Sequence, residues 1–172
     1  GAGDKDFSSG QDTGEPVDPA RAEEWMAEWG ALYEAVLALD IPTLSAINGF
    51  AAGGGLQVAL LADVRVAAAD ASIVFNEINK GIPTITGAAL TMPMSSMSLV
   101  QDMVLTGRTL DGQEACTAGI VSRVYPRAAF LDSVAALGAT LASMAPVAVK
   151  LNKDYWRQVR GNALADAIAF GR

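Results

Sequence analysis

Between about Pro19 and Leu39 the apolar residues Trp25, Trp29, Leu32, Val36 and Leu39 recur at intervals of three and four, which predicts a helix. Ile41-Pro42 closes it, because a residue preceding proline is pushed out of the α region. TLSAIN at 43–48 reads as a short strand and runs straight into glycines. Leu56–Ala62 reads as a short buried helix, and Val64–Ala67 and Ser72–Phe75 as two strands around a turn at Asp70. The helical pattern resumes from about Thr86 to Thr106, kinked near Pro93. It returns at Asp111, where DGQE sets an N-cap acid three residues before Glu114, as in a capping box. Ile120–Tyr125 reads as a strand, and Ala128–Ala142 and Pro146–Arg160 as amphipathic helices. Residues 1–20, rich in Gly, Ser, Asp and Pro, read as a loop. No internal repeat and no low-complexity tail is visible. Strands alternating with helices predict an α/β fold.

Composition narrows the chemistry. The 172 residues suit one domain with its own core, and 51% are hydrophobic. The richest stretch, LQVALLADVRVAAA, is interrupted by Gln57, Asp63 and Arg65 and does not read as a membrane span. GAGDKDFSSGQD at the start has neither the basic nor the apolar region of a signal peptide. A net charge of −7 repels a phosphate backbone, so no nucleic-acid partner is expected. The single cysteine, Cys116, rules out an intramolecular disulfide and suits a reducing cytoplasm. The chain has no histidine, which removes Ser-His-Asp and Cys-His catalysis and the commonest zinc ligand, so no metal site is expected. A general acid or base here must be Asp, Glu, Lys, Tyr or Cys.

The stretch GFAAGGGLQ at 49–57 admits three readings. The first is close packing of a helix on a strand, for which a Cβ-free helix start is ordinary. A phosphate loop fits poorly, because Gly55 is followed by Leu-Gln rather than Lys-Ser/Thr and the spacing G-x-G-x-x-G is absent. Glu77 lies at a suitable distance for a ribose-binding acid, but Gly55–Asp63 is too short for a crossover helix. The third reading is an oxyanion site. Helix N-terminal N–H groups lack intrahelical partners and sit at the positive end of the dipole. Glycines let a carbonyl approach them, and one such donor is typically worth ~3–4 kcal/mol in a transition state.

Four segments then bring a family into view. GAGDKDFSSGQD at 1–12 resembles the first oxyanion loop of the crotonase (enoyl-CoA hydratase/isomerase) superfamily, and PTLSAINGFAAGGGLQVALLADVRVAA at 42–68 resembles its second. FNEINKGIPTITG and VLTGRTLDGQEACTAGIVSRVYP continue the pattern in order, over nearly the whole chain. The resemblance implies a spiral of ββα units, with a crotonase-like core at 1–127 and a C-terminal helical segment at 128–172 for trimerisation or cover. It implies an oxyanion hole from the N–H groups of Gln11 and Gly54. Ser8, Ser9, Asp12, Gly53 and Gly55 would border the substrate. The substrate would be an acyl-CoA thioester, with coenzyme A as part of it and no other cofactor. Homotrimers or hexamers are the implied assembly. The family's usual N-terminal strands and final helices are absent from this stretch.

Many hydratases of the family carry two glutamates 20 residues apart; here those places hold Gln57 and Glu77. A glutamine orients water but takes up no proton, so Glu77 is the expected acid/base, against a plain turn-capping role for Asn76-Glu77. Double-bond isomerisation and hydration or dehydration both suit one carboxylate. A non-catalytic acyl-CoA-binding or assembly subunit that has lost the first glutamate is the alternative class. A Clp-type serine peptidase on the related fold is excluded by the missing histidine. Cys116 reads as a buried small residue and Asp63 as a helix cap or partner of Arg65. Met92, Met94, Met97 and Met103 suit either an acyl pocket or core filling. Lys80, Lys150, Lys153 and Arg157 read as solvated charges, or as contacts for coenzyme phosphates.

Overall fold

A computed structural model describes residues 1, 3–12, 14–15 and 18–171. Its centre is a backbone unit repeated twice. Strands β2 (Leu44–Ile47) and β3 (Phe50–Ala52) lead into helix α2 (Gly53–Leu61), and strands β4 (Val64–Ala68) and β5 (Ser72–Val74) follow on the next turn. β2 pairs with β4 in parallel from Leu44 opposite Val64, while β3 pairs with β5 from Phe50 opposite Ser72. Each turn therefore adds one strand to each of two sheets, a spiral whose period lies in the backbone and not in residue identity.

The larger sheet has the order β1-β3-β5-β6, with β1 (Asp6–Ser8) parallel to β3 and β6 (Thr109–Asp111) antiparallel to β5. The smaller is β2-β4-β7, all parallel, with β7 at Arg123–Tyr125. Small and β-branched residues suit strands covered on both faces. Ile47, Val66, Ile73 and Phe75 are fully buried, and Leu56 and Leu60 of α2 pack against them.

The remaining helices are α1 (Ala22–Leu37), α3 (Ile85–Thr91), α4 (Met97–Thr106), α5 (Gly112–Thr117), α6 (Phe130–Ala142), α7 (Pro146–Arg160) and α8 (Ala163–Phe170). Asp111 and Glu114 form the expected capping box at α5, with Glu114 N–H donating to Asp111 Oδ1 at 2.7 Å. No single helix among the described residues is long and apolar enough to cross a membrane.

Several local expectations change. β1 lies inside the segment read as loop, where DFS borrows its regularity from pairing with β3. β3 and β6 were hidden by glycine and by their three-residue length. The kink read near Pro93 is a full break between α3 and α4, because Ser96 caps α4 anew by accepting from Leu99 N–H. Only Arg123–Tyr125 of Ile120–Tyr125 is strand. The stripe of α1 is also displaced: Leu32 and Leu39 are exposed, whereas Gly30 and Tyr33 are buried.

Charges differ too. Asp63 does not meet Arg65. It accepts from Thr43 N–H and Thr43 Oγ1, both at 2.8 Å, and from Lys153 Nζ. Lys153 is not solvated: it is 5% exposed and also donates to the Ile41 carbonyl. Arg65 instead donates to the carbonyls of Ile120 and Ala62, closing the end of α2. Arg157 binds the Leu37 and Leu39 carbonyls and Asp40. Cys116 is half-buried.

Candidate active site

Parallel pairing levels the carboxyl ends of β3 and β5, with Ala52 opposite Val74. The chain leaves the first as α2 and the second as a 3₁₀ turn at Glu77–Lys80, so Gln57 and Glu77 come to the same side of the sheet. Gln57 Nε2 donates to Glu77 Oε1 at 3.0 Å. The 20-residue spacing in the chain is thus one turn of the spiral.

The Gln57 carboxamide is engaged at both ends. Its Oε1 accepts from the Tyr33 hydroxyl at 2.7 Å and from Thr86 Oγ1 at 2.5 Å. A carboxylate only accepts, so the amide nitrogen must face Glu77. Glu77 Oε2 is buried without a partner among the described residues. Burial pushes the Tyr33 phenol up to about 12; the Thr86 hydroxyl acts the other way, and the Glu77 charge adds to the rise.

The glycines position the donors. Gly10 has φ +87°, and a Cβ there would fall 2.9 Å from the Ala52 carbonyl oxygen and 3.0 Å from Gly54 N. The first loop is thereby pressed onto the start of α2. Gly53 turns the chain into that helix at φ +51°, beneath the Glu77 carboxyl. Gly54 is the second residue of α2, so its N–H has no intrahelical acceptor. A Cβ on Gly54 would lie 2.7 Å from the Trp29 ring, and one on Gly55 would strike Ser8.

These elements surround a cavity of about 470 Å³. Gln11, Gly54, Gln57 and Glu77 share its wall, so four of the residues singled out from the sequence are brought together. Asp12 and Lys80 also line it. Ser8, Ser9, Gly53 and Gly55 do not. Ser9 is exposed, while Ser8 faces the backbone and accepts from Gly10 N–H at 3.3 Å. Met92, Met94, Met97 and Met103 lie outside this lining, and Met103 is fully buried in the core. Met26 of α1 lines the cavity instead, with Ile82, Ile85 and, from α8, Ile168.

Sequence reasoning placed Trp29 only on a helix stripe and missed Tyr33 and Thr86, and all three line the cavity. Trp25, Trp29 and Tyr33 follow one another at i, i+4, i+8, with Trp25 and Trp29 edge to face at 6.4 Å and Trp29 and Tyr33 at 5.7 Å. The signal was visible as a helical period. What it could not say was that this face lines a cavity. Among the described residues no His, Cys, Asp or Glu cluster could hold a metal ion.

The model of the family described as enoyl-CoA hydratase/isomerase matches residues 1–171. The chain is 36% identical over 162 residues to a carnitinyl-CoA dehydratase of Citrobacter koseri, covering 91% of this chain and 61% of the relative. It is 34% identical to the carnitinyl-CoA dehydratase of Escherichia coli over 177 residues, covering 100% of this chain and 67% of that one. The chain thus spans 61% and 67% of the length of these relatives. Among solved structures it is similar to an enoyl-CoA hydratase from Mycobacterium avium subsp. paratuberculosis, with a TM-score of 0.87 and 28% identity, covering 97% of this chain and 68% of that one. It is similar also to DspI of Pseudomonas aeruginosa, with a TM-score of 0.86 and 28% identity, covering 96% and 69%.

Proposed function

The chain belongs to the enoyl-CoA hydratase/isomerase family, and from that we propose that it acts on an acyl-CoA thioester, with Glu77 moving the proton at the α-carbon. The observation that carries this reading is the Glu77 carboxylate itself. One oxygen is held by Gln57, and the other is buried and unpartnered in a residue that lines the cavity. The N–H groups of Gln11 and Gly54 bind the thioester oxygen and stabilise the enolate formed when the α-proton leaves. The apolar wall from Met26, Trp29, Ile82 and Ile168 receives the acyl chain.

Reversible dehydration is the first reading of the reaction. Glu77 takes the α-proton and delivers it to the β-oxygen, the β C–O bond breaks, and water leaves; the reverse sequence hydrates the double bond. The amide nitrogen of Gln57 carries a second proton that Glu77 does not take, and it donates to that departing oxygen. The names of the dehydratase relatives support this direction. Double-bond isomerisation is the second reading, favoured because the Gln57 oxygen already accepts two hydroxyls and offers water no acceptor.

The experiment is incubation with 2- and 3-enoyl-CoA thioesters in heavy water, read by mass spectrometry, beside Glu77→Gln. Added water in the product supports the hydratase reading. Deuterium in carbon without added water replaces it with isomerisation. Glu77→Gln is expected to lower either signal by about 10²–10⁴-fold. Thioester binding without exchange or addition overturns catalysis and leaves the binding-subunit alternative.

The assembly we propose is a homotrimer or hexamer. Its support is α7, where Val147, Leu151, Tyr155 and Val159 form an exposed apolar row. Sedimentation of the chain beside Leu151→Lys tests it: the variant should dissociate, and a wild-type monomer would refute the assembly.

A further inference from the structure

We propose that the Tyr33 and Thr86 hydroxyls are positioning residues: together they lock the Gln57 carboxamide in one of its two orientations, and so keep the transferred proton on Glu77 Oε2. The proposal rests on the reading of Glu77 as the acid/base.

The two hydroxyls come from separate elements, Tyr33 from α1 and Thr86 from α3, and converge on one amide oxygen at 2.7 and 2.5 Å. Each hydroxyl has a single proton to donate, and between them they occupy both lone pairs of that oxygen. Tyr33 is 3% exposed and Gln57 7%, so water does not readily replace a lost bond. With the phenol held up to about 12, Tyr33 keeps its proton throughout the ordinary pH range and serves as a donor, not an acid.

The lock matters at one stage of the reaction. While Glu77 is a carboxylate, it selects the amide nitrogen by itself. Once Glu77 carries the substrate's proton, a reversed amide would accept that proton at its oxygen and draw it away from the substrate. The two hydroxyls oppose the reversal. Gln57 Nε2 therefore stays on Oε1, the proton stays on Oε2, and its route leads back to substrate. Oε2 is the oxygen that has no protein partner among the described residues.

The test is steady-state kinetics with the acyl-CoA that the heavy-water screen identifies, for Tyr33→Phe, Thr86→Val, the double variant, Thr86→Ser and Glu77→Gln. Each single removal should lower kcat by about 10-fold and the double by about 10²-fold, the scale of a misplaced catalytic group. KM should stay within about 2-fold, since ground-state binding is not what changes. Thr86→Ser keeps the hydroxyl and should recover most of the rate lost in Thr86→Val. A double variant with full kcat, or a Thr86→Ser as slow as Thr86→Val, overturns the proposal. If the double variant does not fold, the comparison of serine with valine at 86 still decides. Full turnover by Glu77→Gln removes the acid/base reading and the positioning role with it. A dead Glu77→Gln beside an unimpaired Tyr33→Phe and Thr86→Val removes the positioning role alone.

Discussion

Helix α2 is apolar on nearly every side and buried along most of its length, whereas α7 turns Lys153 and Arg157 inward and leaves Val147, Leu151, Tyr155 and Val159 outside. The first is held by apolar burial, roughly 25 cal/mol per Å² removed from water, without regard to direction. The second is held by directed bonds: Lys153 to Asp63 and the Ile41 carbonyl, Arg157 to Asp40 and the Leu37 carbonyl. Burial packs α2 tightly enough to aim the Gly54 N–H and the Gln57 amide. Polar docking of α7 keeps its apolar side available for another surface. The contrast separates a helix fixed by apolar burial from one fixed by polar bonds that leave its apolar row exposed.

Breaking the polar anchor should give the largest effect on stability. Lys153→Met leaves Asp63 part-buried without its cation, and loss of one partner from a buried pair typically costs about 3–5 kcal/mol. Urea unfolding measures it; an unchanged midpoint would mean that α7 is held otherwise. Gly10→Ala should cost less, about 1–3 kcal/mol, because φ +87° is strained for alanine and the added methyl meets the Ala52 carbonyl. The same variant should slow turnover, since the loop that carries Gln11 is pushed off α2; full activity would detach that loop from the site. The smallest effect sharpens the site side of the comparison. Folded Tyr33 holds its proton up to about 12 against 10 for an ordinary tyrosine. Between these values the unfolded chain has released a proton that the folded chain keeps, so stability present below pH 10 is lost as pH rises through 12. Tyr33→Phe should flatten that alkaline decline, and an identical slope in both proteins would count against a buried phenol.

Much of the site was legible in the chain. The glycines at 53–55 stood out as a run at a helix start, and Gln57 and Glu77 through the resemblance to a two-glutamate pattern; Gly54, Gln57 and Glu77 line one cavity. The order of most elements from β2 to α7 was legible as well, since periodicity reports which side of an element faces inward. Short strands escaped. DFS, FAA and TLD owe their form to neighbours, and three residues carry too little pattern to announce it. Ser8 and Ser9 matched the loop pattern but not the cavity, because a match in position does not state where a side chain turns.

By itself the sequence excluded histidine-based catalysis and set glycines at a helix start, and its resemblance to the crotonase pattern pointed to Gln57 and Glu77. Those are properties of residue type and spacing, which survive in one dimension. Only the tertiary structure decided that Lys153 is buried on Asp63, that the apolar face of α7 points outward, and that Tyr33 and Thr86 meet on Gln57. These contacts join positions 90, 24 and 29 residues apart. A chain-local pattern carries no information about such distances; they follow from how parallel strands stack the turns of the spiral and where that stacking brings α1, α3 and α7.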